Sequence, residues 1–368
     1  MFKILFVEDD ATAVADAKEL LEKSGHFCTV CSFGEAENHI QNFGPDIIIL
    51  DLLQGPSSAP AQTGRITLDF IWKIRFCPII IYSAAPEYLD DDDRVTKHPL
   101  IRRVKKGSGS HLLLKQTLDQ FNGHIVAMQN AGHNLNQAFS MAIRDIAEIS
   151  FPLYNDPKIR DEVLIRCGRR RVSALIDSTL TTERIVSWEQ FIFPPINSDL
   201  MLGDIIRETS DESKLPTSFR IVLTPSCDLA VRGSGKSQVD KALVARCFPI
   251  SELKTRTALC KVSEGDDLKK ALISNVLSQG FYQKMLVIPN LPEVLPDMVA
   301  NLKELEFVPI SEISNIGDKK FVRIASVDSP FRELVSWAYL QIACRPGLPD
   351  RDFDTWAEKI LPQLAVKK

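Results

Sequence analysis

Four carboxylates raise the question of chemistry in this chain. Glu8, Asp9 and Asp10 follow the apolar run Lys3–Val7, and Asp51 follows the run Ile47-Ile48-Ile49-Leu50. Ser83 stands after Ile79–Tyr82, and Lys105 and Lys106 stand after Leu100–Val104. If these runs are strands of one parallel sheet, all of these side chains reach its carboxyl edge, where open sheets bind ligands. Carboxylates crowded at such a crevice repel one another unless a hard cation joins them, and oxygen donors with open water positions suit Mg²⁺. Neighbours on a strand point to opposite faces, so only one of Lys105 and Lys106 is expected to enter the pocket. Asp10 is better suited to opening the first helix, where a carboxylate is favoured.

The elements that must position these groups are legible. Candidate strands are 3–7, 27–32, 46–50, 79–82 and 100–104, separated by helical patterns near 12–23, 35–43, 66–75, 87–95 and 112–121. That alternation predicts a doubly wound α/β domain over residues 1–122, with the uninterrupted third strand at its centre. Residues 123–180 read as a helical connector. Its apolar positions Ile125, Met128, Leu135, Ala138, Phe139, Ala142, Ile143 and Ile146 are spaced for one buried face, and Gly132, Pro152 and Pro157 are expected to interrupt it. From 181 to 368, short β-like runs punctuated by proline and glycine predict an α+β region, with helices over 268–280 and 331–343, the latter opened by Ser329-Pro330.

Composition narrows the function classes. The 368 residues carry 44 basic and 48 acidic side chains, a formal net charge of -4, which argues against broad contact with nucleic acid or anionic lipid. No apolar run approaches the roughly 18 residues of a membrane span, and eight scattered cysteines without a Cys-x-x-Cys pair suit a reducing compartment. A cytoplasmic protein is expected.

Taken together, Val7-Glu8-Asp9-Asp10, Ile49-Leu50-Asp51-Leu52, Tyr82-Ser83-Ala84 and Lys106-Gly107-Ser108 resemble the receiver domain of bacterial two-component response regulators, over about residues 1–122. The resemblance implies a flavodoxin-like, five-stranded parallel sheet. It implies Asp51 as the acceptor of a phosphoryl group from a histidine kinase, and Mg²⁺ held by Asp9, Asp51 and the backbone carbonyl of Leu53, with Glu8 on a metal-bound water. Lys106, with Lys105 as the alternative, would pair with the phosphoryl group, and the Ser83 hydroxyl would meet it after a loop movement. Three features depart from the pattern. The loop 54–63 is long enough to lid the pocket, the fifth strand has no aromatic residue and no proline follows the lysine, and Asp90–Asp93 are expected to leave the fourth helix solvated or mobile.

The second region offers weaker signals. Leu202–Ile206, Val222–Leu229 and Ala242–Arg246 are similar to strands of the SH3-like barrels of PemK-type toxin ribonucleases, which would make the output an RNA-cleaving or other hydrolytic effector. Cys227 has no histidine in that region to activate it, and Cys227, Cys247, Cys260 and Cys344 are too irregularly spaced to favour zinc. The loop 232–237 lacks phosphate-loop spacing, Arg332 and Arg345 are read as structural anchors, and the basic cluster Arg166, Arg169, Arg170 and Arg171 as a solvated helix face. The principal expectation is a response regulator whose output works by protein contact, with an effector protein or a second copy as partner. The alternatives are a phosphate sink in a phosphorelay or anti-phage system and the RNA-cleaving effector.

Overall fold

The computed structural model describes residues 1–53, 62–177, 184–196, 199–210, 214–231, 235, 237–344 and 352–364. The chain divides into two compact units, Met1–Glu183 and Arg184–Lys368. Most of the loop 54–63, most of 232–237 and Arg345 lie outside the described residues.

In the first unit, β1 (Lys3–Val7), β2 (Phe27–Cys31), β3 (Ile47–Leu50), β4 (Ile79–Ser83) and β5 (Ile101–Lys105) form a five-stranded sheet in the order β2-β1-β3-β4-β5. Every pairing is parallel. The helices are α1 (Ala15–Lys23), α2 (Ala36–Phe43), α3 (Gln62–Ile74), α4 (Asp93–Lys97), α5 (Ser110–Leu153) and α6 (Pro157–Asp177). The order is that of a doubly wound, flavodoxin-like sheet. Its alternation explains why β3 is apolar throughout. Ile47 and Ile49 join Leu21 of α1 and Leu118 and Phe121 of α5 in one core cluster, whereas Ile48 and Leu50 join Ile40 of α2 and Leu68 and Ile71 of α3 in another. Residues i and i+2 face one side of a strand, so a strand covered on both sides needs four apolar residues in succession.

The connecting helix departs from expectation. α5 runs unbroken for 44 residues, past Gly132 and with Pro152 in its last turn, before α6 follows as a second long helix packed against it. A glycine costs about 1 kcal/mol in a helix, which a helix of this length absorbs, and a proline near the C-terminal end removes a single ladder bond. The apolar stripe is only partly buried. Ile125 and Ala142 are covered, whereas Met128, Leu135 and Phe139 are exposed. In the segment after β4, three of the four adjacent aspartates are solvated, as expected, and each of the four has a cationic partner. Asp90 pairs with Arg103, Asp91 with Arg65, Asp92 with Arg94 and Asp93 with Lys97, and Asp92 additionally caps α4 through the Arg94 N–H at 3.0 Å.

The second unit contains a nine-stranded sheet made of β6 (Phe191–Ile192), β7 (Asp204–Glu208), β8 (Phe219–Val222), β9 (Lys241–Pro249), β10 (Phe281–Tyr282), β11 (Met285–Ile288), β12 (Met298–Pro309), β13 (Ile313–Ser314) and β14 (Phe321–Val327). The path runs β10-β11-β12-β9-β8-β7-β14-β13, with β6 paired to β14, and is antiparallel except between β13 and β14. It is an open path, and among the described residues no ladder joins β10 to β13. Its helices are α7 (Ser226–Leu229), α8 (Glu252–Thr255), α9 (Asp266–Ala271), α10 (Phe331–Ala343) and α11 (Phe353–Leu364). The expected helix over 268–280 starts two residues earlier and ends three residues earlier: α9 passes directly into a π-helical stretch, Leu272–Leu277. Inside the sheet, Asp204 and Arg323 form a buried ion pair at 2.8 Å, and Ser326 donates to Asp204 at 2.6 Å, which satisfies charges that would otherwise be costly.

Candidate functional site

The carboxyl ends of β1, β3, β4 and β5 converge. Parallel pairing places Val7 beside Leu50, and Ser83 beside Lys105, so the residue after each strand stands at one edge of the sheet. Two backbone bonds continue the ladders past the strands and hold that edge: Asp51 N–H donates to the Val7 carbonyl at 3.0 Å, and Lys106 N–H donates to the Ser83 carbonyl at 2.9 Å. Glu8 N–H similarly reaches the Cys31 carbonyl at 2.9 Å.

Within this edge, the Lys106 ammonium bridges two buried carboxylates. Its Nζ donates to Asp51 Oδ2 at 2.8 Å and also to Glu8 Oε2. Glu8 and Asp51 are 5% and 7% exposed, respectively. The other Asp51 oxygen accepts from the Leu52 N–H at 2.7 Å, which fixes the carboxylate plane, and Glu8 Oε1 accepts from the Asp10 N–H at 3.2 Å. Lys106 also lies over the Tyr82 ring, 5.6 Å from its centre, while the Tyr82 hydroxyl hydrogen bonds Ser110 at the start of α5 at 2.6 Å.

The electrostatics follow from this burial. Desolvation, reinforced by the charge of Asp51, pushes the Glu8 carboxyl up to about 7 even though the Lys106 hydrogen bond opposes it. Burial disfavours the Lys106 ammonium, but its hydrogen bonds and charge interactions with Asp51 and Glu8 outweigh that, and its pKa is raised. One cation therefore serves two buried anions.

Lys105 takes a different course. It ends β5 and turns outward, with its Nζ 3.4 Å from Glu87 and 65% of its side chain exposed. Ser83 is fully buried at the end of β4, and among the described residues its hydroxyl meets the Ala85 N–H at 3.5 Å. Asp9 is exposed on the rim beyond β1, and Asp10 caps the turn before α1 by accepting from Thr12 N–H at 2.9 Å. Leu53 lies on the chain just after Asp51, its N–H 3.4 Å from Asp51 Oδ1. Sequence reasoning missed Tyr82, Ser110 and Gly64. A Cβ on Gly64 would lie 2.7 Å from Leu52 Cα, so this glycine lets α3 approach the chain beside Asp51, and an isolated glycine in an amphipathic pattern was the available signal.

Among the described residues, no three His, Cys, Asp or Glu side chains stand together as a ready metal group. The donor chemistry nevertheless fits a hard cation. Two buried carboxylates converge on one ammonium, Glu8 has its proton affinity raised by burial and a like charge, and every candidate donor is an oxygen.

No family model matches this chain, and no curated protein does. Solved structures do, and many of them are response regulator receiver domains. The signal receiver domain of a LuxO repressor protein from Vibrio parahaemolyticus is 19% identical, with 35% of this chain and 96% of that one covered at a TM-score of 0.30. The BeF3-activated receiver domain of Klebsiella pneumoniae RstA is 20% identical over 32% and 96%, at 0.25. Thermotoga maritima TrrA, solved with Mg(2+)-BeF, is 21% identical over 32% and 98%, also at 0.25. With five parallel strands in the order β2-β1-β3-β4-β5, the first unit has the flavodoxin-like, doubly wound fold. The α5 helix of this unit extends well past the sheet it packs on and continues to Leu153.

Proposed function

We propose that this chain is a response regulator that accepts a phosphoryl group on Asp51 from the phosphohistidine of a histidine kinase. The observation that carries the reading is the 2.8 Å contact between Lys106 and Asp51 at the carboxyl edge of the sheet. In the transfer, the carboxylate oxygen of Asp51 forms an O–P bond while the P–N bond of the phosphohistidine breaks and the imidazole departs. Leu52 N–H holds one Asp51 oxygen, which leaves Oδ2 to attack once Lys106 shifts its hydrogen bonds to the incoming phosphoryl oxygens. Mg²⁺, held by Asp9, Asp51 and the Leu53 carbonyl with Glu8 on a bound water, would supply charge neutralisation at those oxygens. The product carries about two negative charges, and a compact ammonium beside it is a matched partner. Ser83 reaches the phosphoryl group only in a second loop arrangement, whose population rises when that bond becomes available.

The output is proposed to act by protein contact. Within the second unit, buried Arg323 is paired with Asp204 and buried Arg220 with Glu306, so these arginines are neutralised within the sheet. The test is labelling with radioactive acetyl phosphate in the presence of Mg²⁺. Wild type should take up acid-stable, base-labile label, and Asp51→Asn should take up none. Equal labelling of both ends the assignment.

A further inference from the structure

The end of the first unit is a two-helix hairpin with more apolar surface than it covers. α6 packs against the distal half of α5, where a Cβ added to Gly168 would lie 3.0 Å from Ile143 Cδ1 and where Arg171 pairs with Asp145. Around that contact Leu135, Phe139, Ile149 and Leu153 of α5 remain exposed, Leu153 by 67%. On α6, Ile165 is 41% exposed in the middle of a shallow concavity of about 580 Å³ lined by Asp161, Glu162, Arg166 and Arg169. Two antiparallel helices can bury only one stripe each, and a second pair of helices is the usual cover for the remainder.

The charges around Ile165 indicate which pair. Asp161 and Glu162 precede it by four and three residues, and Arg166 and Arg169 follow it by one and four, so acid lies toward the helix N-terminus and base toward the C-terminus. Positions i and i+4 share a helix face, which puts Asp161, Ile165 and Arg169 in one line. Among the described residues, Glu162, Arg166 and Arg169 form no ion pair within the chain, and Asp161, whose side chain is 67% exposed, meets only its neighbour Arg160, at 3.8 Å. A patch with this polarity complements itself when turned by 180° about Ile165. Such a rotation makes the two helices antiparallel, sets Ile165 against its counterpart and places each Asp161 opposite an Arg169.

We infer that the hairpin of α5 and α6 docks onto a second copy of this chain, giving a four-helix bundle with α6 antiparallel to its counterpart across a two-fold axis at Ile165. The apolar residues of α5 supply the flanking contact area, and the two symmetric acid–base pairs set the register. The dimer follows from the hairpin alone and holds whether or not Asp51 is phosphorylated.

The test is the mass of the full chain in solution by light scattering and sedimentation across a concentration series. Wild type should show twice the 41.2 kDa chain mass. Arg169→Asp sets like charges opposite each other at both symmetric sites and should weaken dimerisation by at least about tenfold. The double variant Asp161→Arg with Arg169→Asp restores the pairing in reverse and should recover the wild-type dimer, an outcome no loss of folding can mimic. A monomeric wild type at tens of micromolar overturns the inference. So does an Arg169→Asp chain that dimerises as well as wild type, or a double variant that dimerises no better than the single one.

Discussion

Lys106 Nζ donates to Asp51 Oδ2 at 2.8 Å although the two residues are 55 positions apart. The same ammonium holds Glu8, so three of the four strand ends at the carboxyl edge are joined through one buried cation. Charge at this edge therefore couples the stability of the sheet to pH and to each of the three side chains.

Glu8 makes stability depend on pH. Its carboxyl titrates near 7 in the folded chain and near 4.5 when unfolded, so between those values the folded state keeps a proton that the unfolded state has lost. The contribution is fully present below about pH 4.5 and is lost as pH rises through 7. In metal-free buffer, wild type should lose about 3 kcal/mol more than Glu8→Gln between pH 5 and pH 8. Urea denaturation of both chains at the two pH values measures this, and parallel losses would refute it.

Removing the cation has the opposite sense. Lys106→Met leaves Glu8 and Asp51 buried without their shared partner and should cost about 3 kcal/mol at pH 8. The cost should shrink at pH 5, where Glu8 takes up a proton and the repulsion ends. A pH-independent loss, seen in the same denaturation series, would mean that packing rather than charge is at stake.

Gly64→Ala tests the close approach beside Asp51. The new methyl would stand 2.7 Å from Leu52 Cα and 2.9 Å from Leu52 Cδ2, and the overpacking should destabilise the chain by about 2 kcal/mol. Gly123→Ala in α5 meets nothing within 4 Å and should instead stabilise by up to about 1 kcal/mol. Melting temperatures of the two variants should move in opposite directions.

The four aspartates after β4 are not equivalent. Asp92 caps α4, accepts from Arg94 Nε at 2.9 Å and has a side chain only 9% exposed, whereas the Asp93 side chain is 78% exposed and pairs with Lys97. Asp92→Ala should cost about 2 kcal/mol and Asp93→Ala less than about 0.5. Hydrogen exchange over Asp93–Lys97 should accelerate in the first variant only.

The five strands of the first unit, their parallel arrangement and the residues at their carboxyl ends were legible because a doubly covered strand must be apolar at every position and the polar groups then fall at its end. Local pattern also marked α10 and, in the second unit, strands β7 and β9. It did not mark β12, whose Lys303, Glu304 and Glu306 interrupt the apolar rhythm and whose register shifts between Asn301 and Leu305. Which lysine enters the pocket was decided in three dimensions, because β5 ends at Lys105 and only the next residue crosses to Asp51 and Glu8. The partners of Asp90 and Asp91 were likewise invisible, since Arg103 and Arg65 stand 13 and 26 positions away on other elements. Periodicity and residue type act over a few positions and so determine elements and their edges. Charge pairing and burial depend on which edges meet, and that was settled only when the sheet and its helices had assembled.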